Sequence, residues 1–344
     1  MKKLLPLVLV LCLMLCGCTG GTGGNEETTL SESETEVFRN PLNGTPMEEE
    51  FDGRVVSVSI NNVSPAMPFK GINSADVFFE MYINDYCTRG LALYSDIGSV
   101  TDIGSIRSTR YNFTDIALSY GTVMCFSGGS GSVVNDMKQS GIDYLFVDEN
   151  IGYRDEARLS KGTSLEHTLF AKGSDIYDAI LEDGKSLTAP GKDYGMNFAD
   201  EGTPLDGTAA NVIDISFTLN GTEKLTRMKY DGALDEYIFH QYGKEMTDEG
   251  DGKPASFKNV IVMFADVENQ GVYHVADLYG AGEGYFACGG KMIPIKWTHE
   301  NETDPFTFTL EDGSTLRQEA GSTYIAIAPT GSKVEAYDST EENN

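Results

Sequence analysis

The sequence predicts an α+β protein of two domains: an N-terminal layered α/β domain with a mixed sheet, and a C-terminal domain that is mainly antiparallel β. Residues 41–186 alternate short apolar runs with segments of helical periodicity, whereas residues 212–332 contain strand-like runs and no convincing helix. Between them, residues 187–211 are dense in glycine, proline, aspartate and threonine and lack apolar periodicity. We therefore assign residues 187–211 to a linker.

Five short apolar or alternating runs bounded by turn residues predict the strands of the N-terminal domain. They are RVVSVSINN (54–62), ADVFFEMYI (75–83), GLALYSDI (90–97), GTVMCFSG (121–128) and DYLFVD (143–148). Apolar residues at helical spacing predict three helices, over residues 109–121, 130–141 and 174–184.

Strand-like runs and glycine turns predict the C-terminal domain. The runs are NVIDISFTL, NVIVMFADV, GVYHVADLYG, EGYFACGGKMIPIKWT, PFTFTLEDGSTLRQ and STYIAIAP. Asp312-Gly313 and Gly289-Gly290 are typical of hairpin turns. Residues 333–344 have little to bury, and we expect a disordered acidic tail there.

The first residues have the order of a bacterial lipoprotein signal. Two lysines precede an uninterrupted apolar run from Leu4 to Cys16, which is too short for a comfortable transmembrane helix. The following LCGC resembles a lipobox, so residues 1–17 are predicted to be a signal peptide and Cys18 the lipidated residue. An ordinary signal peptide cut nearby is the alternative. Residues 18–40 are then a disordered tether, and the protein lies outside the cytoplasm, held to the cell membrane by its lipid.

Charge and cysteine content exclude several classes of partner. The chain carries 53 acidic and 25 basic side chains, a formal net charge of -28 at pH 7. This acidity argues against nucleic acid and against adsorption on an anionic membrane, so we expect membrane contact through the lipid only. Cys87, Cys125 and Cys288 lack the close spacing of metal ligands, and neither a metal nor a cofactor is expected. Buried thiols are the favoured interpretation, and a Cys87 to Cys125 disulfide is the alternative.

Long segments of the chain resemble a known family. VVSVSINNVSPAMPFKGINSADVFFEMYINDYCTRGLALYSD, IGSIRSTRYNFTDIAL, MCFSGGS and SLEHTLF look like the YerB-like lipoproteins, whose first module is called domain of unknown function 3048. GAGEGYFACGGKMIPIKW and DGSTLRQEAGSTYIAIAP are similar to that family's C-terminal module. The resemblance covers about residues 41–330 and implies a two-domain bacterial lipoprotein without an established activity.

One loop departs from the family pattern. Where the pattern has histidine, a small residue, two glycines and a serine, this sequence has Phe126, Ser127, Gly128, Gly129 and Ser130. Chemistry that needs an imidazole at this loop is therefore not expected. Anion binding through backbone amides would survive the change.

Clustered arginines are the most informative polar feature of the sequence. Two of them belong to the segment Arg107-Ser108-Thr109-Arg110, and three others lie nearby at Arg89, Arg154 and Arg158. Converging guanidinium groups would form a positive site suited to carboxylate or phosphate. The alternative, which acidic neighbours favour, is internal pairing with Glu80, Asp85 or Asp115.

The loop FSGGSGS is neither a phosphate loop of nucleotide hydrolases nor a dinucleotide fingerprint. It lacks the lysine of GxxxxGK[ST] and the spacing of GxGxxG. Its amides would still face outward at a helix N-terminus, where anions bind. Ser130 or Ser132 is best interpreted as the N-cap of that helix. The predicted ligand-binding residues are Arg89, Arg107, Arg110, Gly128, Gly129 and Ser130.

Candidate catalytic residues are Glu80 and His167. GxSxG is not matched, and a pair of His167 with Ser127 or Ser130 is less favoured than a structural hydrogen-bonding role for His167. Glu80, Asp85 and Glu166 would be candidates for glycosidic chemistry. In the C-terminal domain, Trp297, Tyr285 and Phe286 either line a carbohydrate or peptide groove or, as we favour, pack in the core.

The sequence therefore predicts a non-enzymatic lipoprotein that binds an anionic cell-envelope ligand or a protein partner through its arginines. One alternative is an envelope hydrolase or transferase that uses Glu80 or His167. Another is a structural assembly factor without a small ligand.

Overall fold

The structure, a computed structural model, describes residues 37–84, 87–199, 205–271 and 273–338. The predicted signal peptide, Cys18, most of the tether and Asp85 lie outside these ranges. The described residues belong to one compact unit.

Strands predominate among the described residues. In the first part of the chain they are β1 (Phe38–Arg39), β2 (Pro46–Met47), β3 (Val56–Asn61), β4 (Val77–Asn84), β5 (Cys87–Tyr94), β6 (Ile103–Gly104), β7 (Val123–Phe126), β8 (Tyr144–Phe146), β9 (Tyr153–Arg154) and β10 (Leu169–Ala171). In the second part they are β11 (Thr208–Ala209), β12 (Val212–Leu219), β13 (Thr222–Asp231), β14 (Glu236–Gln241), β15 (Lys244–Glu245), β16 (Thr247–Asp248), β17 (Lys253–Pro254), β18 (Ser256–Phe257), β19 (Asn259–Ala265), β20 (Val267–Gln270), β21 (Tyr273–Ala276), β22 (Gly280–Cys288), β23 (Lys291–His299), β24 (Thr307–Thr309), β25 (Thr323–Pro329) and β26 (Lys333–Tyr337).

Helices are few in the described ranges. The α-helices are α1 (Tyr111–Ser119), α2 (Gly131–Gln139), α3 (Glu156–Ser160) and α4 (Gly173–Glu182). Single turns of 3₁₀-helix are formed by Ser64–Ala66, Ile97–Ser99 and Leu165–His167. The three predicted helices are present as α1, α2 and α4, whereas the short α3 was not predicted.

An eleven-stranded mixed sheet forms the centre of the molecule. Its order is β11-β23-β22-β19-β25-β4-β5-β3-β7-β8, with β24 paired to β23. In its N-terminal half β3 is antiparallel to β5 and parallel to β7, so the prediction of a mixed sheet is confirmed. The two halves of the chain meet where β25 pairs in parallel with β4, from Thr323 beside Val77 to Ile327 beside Met81.

The two predicted domains therefore share one sheet, although the sequence suggested a separate sheet for each. The C-terminal half is mainly antiparallel, as predicted, and its parallel pairs are β19 with β25 and β25 with β4. The boundary at residues 187–211 stays a prediction. The shared sheet means that the site of the N-terminal half has C-terminal elements beside it.

A second sheet of six antiparallel strands covers one face of the central sheet. Its order is β15-β14-β13-β12-β26, with β18 paired to β14. Buried aromatic rings join the two sheets, with Phe78 of β4 about 6 Å from the rings of Phe239, Phe257 and Tyr324. On the other face, α1 and α2 cover the central sheet through Phe113, Ile116 and Met137.

The predicted disordered ends are partly ordered. Residues 333–337 form β26, which pairs with β12, because Val334 and Ala336 pack against the core between the sheets. At the other end, Phe38 and Arg39 pair with Met47 and Pro46, so the tether predicted for residues 18–40 does not extend to residue 40.

Candidate functional site

The predicted ligand-binding residues converge at one edge of the central sheet. β3, β7 and β8 are mutually parallel, so their carboxyl ends lie at the same edge. β5 runs antiparallel to β3 and therefore starts there, with Arg89 directly opposite Asn61. The carboxyl edge of parallel strands is where α/β sheets commonly bind ligands.

Arg89 is the most buried arginine of this edge, with 3% of its surface exposed. Its Nη1 donates a hydrogen bond to the carbonyl oxygen of Ser108 over 3.0 Å. Its buried Nε has no hydrogen-bond partner among the described residues. Burial holds the pKa of Arg89 well below its ordinary value, and the charges of Arg110 and Arg107 lower it further. The guanidinium groups are therefore close enough to repel one another.

Arg107 and Arg110 complete this group, which we call the arginine cluster (Arg89, Arg107 and Arg110). Arg107 Nη2 donates to Glu166 Oε2 over 2.8 Å, and Arg110 Nη1 donates to the carbonyl oxygen of Thr109 over 2.7 Å. The Arg110 guanidinium lies over the ring of Tyr273, 5.3 Å from its centre. In both arginines Nε is buried and lacks a partner in the described ranges. Burial also lowers the pKa of Arg110.

Backbone hydrogen bonds hold the segment 107–109 between β3 and the glycine loop. The Arg107 amide donates to Ser59, and the Arg107 carbonyl accepts from the Ser127 amide, each over 2.9 Å. The Thr109 amide donates to the Gly128 carbonyl over 3.0 Å. Gly128 has a φ of 92°, and a β-carbon there would lie 2.7 Å from Ser108 Oγ. The close approach of loop and segment thus requires glycine at this position.

Ser130 is the N-cap of α2, as the sequence predicted. Its hydroxyl accepts a hydrogen bond from the Val133 amide over 3.3 Å and lies 2.9 Å from the hydroxyl of Ser132. Gly129 precedes it and packs against Thr109 and Val134. Its capping bond makes Ser130 a structural residue of the loop, and its contact with an anion stays a prediction.

His167 lies beside the cluster. Its Nδ1 is 2.8 Å from Nδ2 of Asn61, and its Nε2 is 3.6 Å from Glu166. Burial lowers the pKa of His167, which leaves the ring neutral near pH 7. This geometry matches the favoured structural role, and the described contacts of the ring are with Asn61 and Glu166 rather than with Ser127 or Ser130.

Glu80, the other catalytic candidate, lies on the opposite face of the central sheet. It alternates with Phe78 and Tyr82, which face the second sheet, whereas Arg89 alternates with Leu91 and Leu93 on the helix side. Glu80 is fully buried and pairs with Lys224 of β13. Glu80 therefore cannot neutralise the arginine cluster.

The other acidic partners proposed from the sequence also fail to account for the cluster. Asp115 makes its side-chain contact with Asn112, over 3.5 Å, and Asp85 lies outside the described residues. Internal pairing does hold Arg154, which bonds Glu149, and Arg158, which bonds Glu249 and lies near Asp155. The favoured alternative of internal pairing thus applies to Arg154 and Arg158, and through Glu166 to Arg107.

Asp115 gives the protein a predictable pH dependence. Burial, with a smaller contribution from Asp136, raises the pKa of Asp115 from 3.8 to about 7. The folded state then binds the proton of Asp115 more tightly than the unfolded state does. The free energy of unfolding therefore falls as pH rises from about 4 to about 7. After a discount for partial exposure, we expect Asp115→Asn to be more stable than the native protein by roughly 1–2 kcal/mol at pH 8 and equal to it at pH 4.

Urea unfolding at the two pH values measures this difference. Asp178→Asn, at an exposed position on α4, serves as the control and should change stability little at either pH. A destabilised Asp115→Asn at pH 8 would contradict the prediction.

The thiols of the described residues form no disulfide, and Trp297 is buried. Cys87, Cys125 and Cys288 are free. Cys125 packs in the core on the second-sheet side, while Cys87 alternates with Arg89 on β5, and this separation explains why they form no disulfide. Trp297 is 2% exposed and its Nε1 donates to the Phe264 carbonyl, which agrees with core packing.

The described residues contain no group of three or more His, Cys, Asp or Glu side chains that could hold a metal ion. In the same ranges, no helix is both long enough and apolar enough to cross a membrane.

Sequence reasoning missed Asn61 and Tyr273 as members of the site. Asn61 ends β3, and Asn61-Asn62 belongs to the first of the segments that resemble the family. A polar pair that closes an apolar strand is a usable signal for an edge site. Tyr273 comes from the second half of the chain, and no local signal connects it with Arg110.

Comparison with known proteins agrees with this architecture. Residues 42–186 match the family described as Protein of unknown function (DUF3048) N-terminal domain, and residues 213–325 match the DUF3048 C-terminal domain. A protein of Bacillus subtilis (strain 168) that carries the name "Putative lipoprotein YerB" is 25% identical over 303 residues, which cover 84% of this chain and 86% of that protein. The crystal structure of the YerB protein from Bacillus subtilis matches with a TM-score of 0.74 at 22% identity, over 87% of this chain and 99% of that chain. The resemblance found in the sequence is thereby confirmed for both halves, and the chain belongs to the DUF3048 family.

Proposed function

We propose that this chain is an extracytoplasmic, lipid-anchored binding protein whose arginine cluster holds an anionic group of a cell-envelope ligand or protein partner. One observation carries the proposal: the Nε atoms of Arg89, Arg107 and Arg110 are buried without a hydrogen-bond partner among the described residues. An unpaired buried donor costs about 1–3 kcal/mol, and more when it is charged. An anion between the guanidinium groups would remove this cost.

The order of lysines, apolar run and LCGC at the N-terminus supports the location of the protein. The lipoprotein name of the relative from Bacillus subtilis supports it as well. We place the lipid on Cys18, with membrane contact through the lipid only. An acidic chain held near an envelope would repel most anions, so a local positive site makes binding selective.

The positions of Glu80 and His167 weigh against the hydrolase alternative. Glu80 lies across the sheet from the arginine cluster and is saturated by hydrogen bonds. His167 lies at the correct edge, but its Nδ1 is engaged with Asn61.

Replacing both Arg107 and Arg110 by methionine should abolish binding. Methionine keeps an unbranched side chain and removes the charge and the donors. Because a hydrogen bond to a charged group is worth about 1.5–3 kcal/mol, retention should fall by about tenfold or more for each substitution. The measurement is cosedimentation of purified full-length protein with isolated, detergent-washed cell walls, or its retention on a captured partner. The exposed Arg317, replaced by methionine, gives a control with the same change of charge.

Urea unfolding of the same variants separates binding from scaffolding. Burial and mutual repulsion of the guanidinium groups disfavour the charged forms of Arg89 and Arg110. The double variant with Arg107→Met and Arg110→Met should therefore be at least as stable as the native protein. Unchanged retention by a folded double variant would exclude this site. Unchanged retention with a marked loss of stability would favour the assembly-factor alternative.

A further inference from the structure

The arginine cluster contains more positive charge than its described neighbours balance. Three guanidinium groups face one carboxylate, that of Glu166, which is half exposed and bonds Arg107. His167 does not add a charge near pH 7, because burial lowers its pKa. Within the described residues, the cluster therefore has an excess of two positive charges.

Its three unpaired donors come from two segments of the chain. Arg89 belongs to β5, and Arg107 and Arg110 both belong to the segment between β6 and α1. The Nε atom of each arginine is buried and without a described partner. A carboxylate presents two oxygens in one plane, whereas a phosphate monoester presents three acceptor oxygens arranged around phosphorus. Three unpaired donors match in number the three acceptor oxygens of the second arrangement.

Backbone groups at the same edge add to the attraction. α1 begins directly after Arg110 and has no side-chain hydrogen bond that caps its first turn. α2 begins after the glycine loop that packs on Ser108 and Thr109. The N-termini of both helices carry partial positive charge, and phosphate groups bind well at such ends.

A fourth unpaired atom lies beside the cluster. Oδ1 of Asn61 is buried without a described partner, while Nδ2 of the same amide bonds His167. Asn61 is the cross-strand neighbour of Arg89. This oxygen would accept a hydrogen bond from a hydroxyl group of the molecule that carries the phosphate.

We propose that the arginine cluster binds a doubly charged phosphate, carried as a monoester on a hydroxylated group, in preference to a carboxylate or a singly charged phosphodiester. The inference rests on the proposed function and specifies its ligand class. It follows from the charge excess, the three unpaired donors and the acceptor of Asn61.

Isothermal titration calorimetry of the full-length protein at pH 8 tests this ligand class. The probes are glycerol 3-phosphate, inorganic phosphate, glycerophosphocholine as a phosphodiester, and acetate. Glycerol 3-phosphate should bind at least tenfold more tightly than the diester or acetate. Tighter binding of glycerol 3-phosphate than of inorganic phosphate indicates an esterified ligand, and the reverse order indicates free phosphate and overturns the monoester part of the proposal.

Substitutions assign the binding to the cluster. Arg110→Met should weaken glycerol 3-phosphate binding at least tenfold, and Arg317→Met should leave it unchanged. Equal affinity for acetate and glycerol 3-phosphate would overturn the ligand class and leave the proposed function standing. If no phosphate probe bound but retention on cell walls still depended on the arginines, the ligand class would again be overturned and the proposed function would stand. If the double variant with Arg107→Met and Arg110→Met kept both its retention on cell walls and its phosphate binding, both proposals would be overturned.

Discussion

Replacing Lys224 by methionine should lower the free energy of unfolding by about 3–5 kcal/mol, because it leaves the buried carboxyl group of Glu80 without its cation. Lys224 is 6% exposed and Glu80 is fully buried between the two sheets. A buried charge that loses its partner retains its full desolvation cost.

The surroundings of Glu80 explain why water cannot replace Lys224. Glu80 Oε1 accepts hydrogen bonds from Asn62 and Thr88, and Oε2 accepts from Thr226 and Tyr324. These neighbours come from the central sheet and from the second sheet, so the network spans the interface between them. The Lys224 ammonium group lies 5.6 Å from the centre of the Phe217 ring and 5.9 Å from the centre of the Phe239 ring.

Urea unfolding of a double-variant cycle measures the effect. Glu80→Gln combined with Lys224→Met removes both charges, and this double variant should be more stable than Lys224→Met alone by more than about 1 kcal/mol. The control is Lys333→Met, which removes a lysine from the exposed pair with Glu335 and should cost less than about 1 kcal/mol. Equal costs for Lys224→Met and Lys333→Met would show that the buried pair is not what joins the sheets.

Strands with long apolar runs were predictable, whereas β13, which alternates charged and apolar residues, was not. All five predicted N-terminal strands are present, as β3, β4, β5, β7 and β8, within about three residues of their predicted bounds, because each run is largely apolar and bounded by turn residues. β13, with the sequence TEKLTRMKYD, was missed, because its inward positions include Lys224 and Thr226. A buried lysine has no signature in sequence periodicity, since its burial depends on Glu80 in another strand.

The candidate site was predictable in its local parts. Arg107-Ser108-Thr109-Arg110 and the Ser130 cap lie where loops enter helices, and local sequence patterns show such positions. Glu80 was grouped with the arginines because VFFEMY is apolar on both faces, so the sequence does not show which face Glu80 occupies. Sheet register, which depends on long-range pairing, places Asn61 beside Arg89. The contact of β21 with α1, through the hydrogen bonds between Asn112 and Ala276, places Tyr273 beside Arg110.

Phe78→Ala should destabilise the protein by about 3–5 kcal/mol, as truncation of a fully buried aromatic ring usually does. Phe78 lies at the centre of the aromatic interface between the sheets, 6.1 Å from Phe69, 6.0 Å from Phe257 and 6.3 Å from Tyr324. Its ring also covers Gly90 of the neighbouring strand, where an added β-carbon would come within 2.2 Å of the ring. The packing therefore requires a large residue at one position and glycine at the other.

The cavity left by Phe78→Ala cannot close easily, because the rings around it belong to strands fixed by the hydrogen bonds of two sheets. Phe78→Leu should accordingly lose less stability than Phe78→Ala in urea unfolding, since leucine fills part of the space. Phe146→Ala, at a ring that is 50% exposed, removes the same atoms from the surface and should change stability by no more than about 0.5 kcal/mol. If Phe78→Ala cost no more than Phe146→Ala, the second sheet would not be packed on the central sheet through this cluster. The large cost expected follows from a core shared by both halves of the chain, which ties the folding of the arginine edge to strands that follow it by more than a hundred residues.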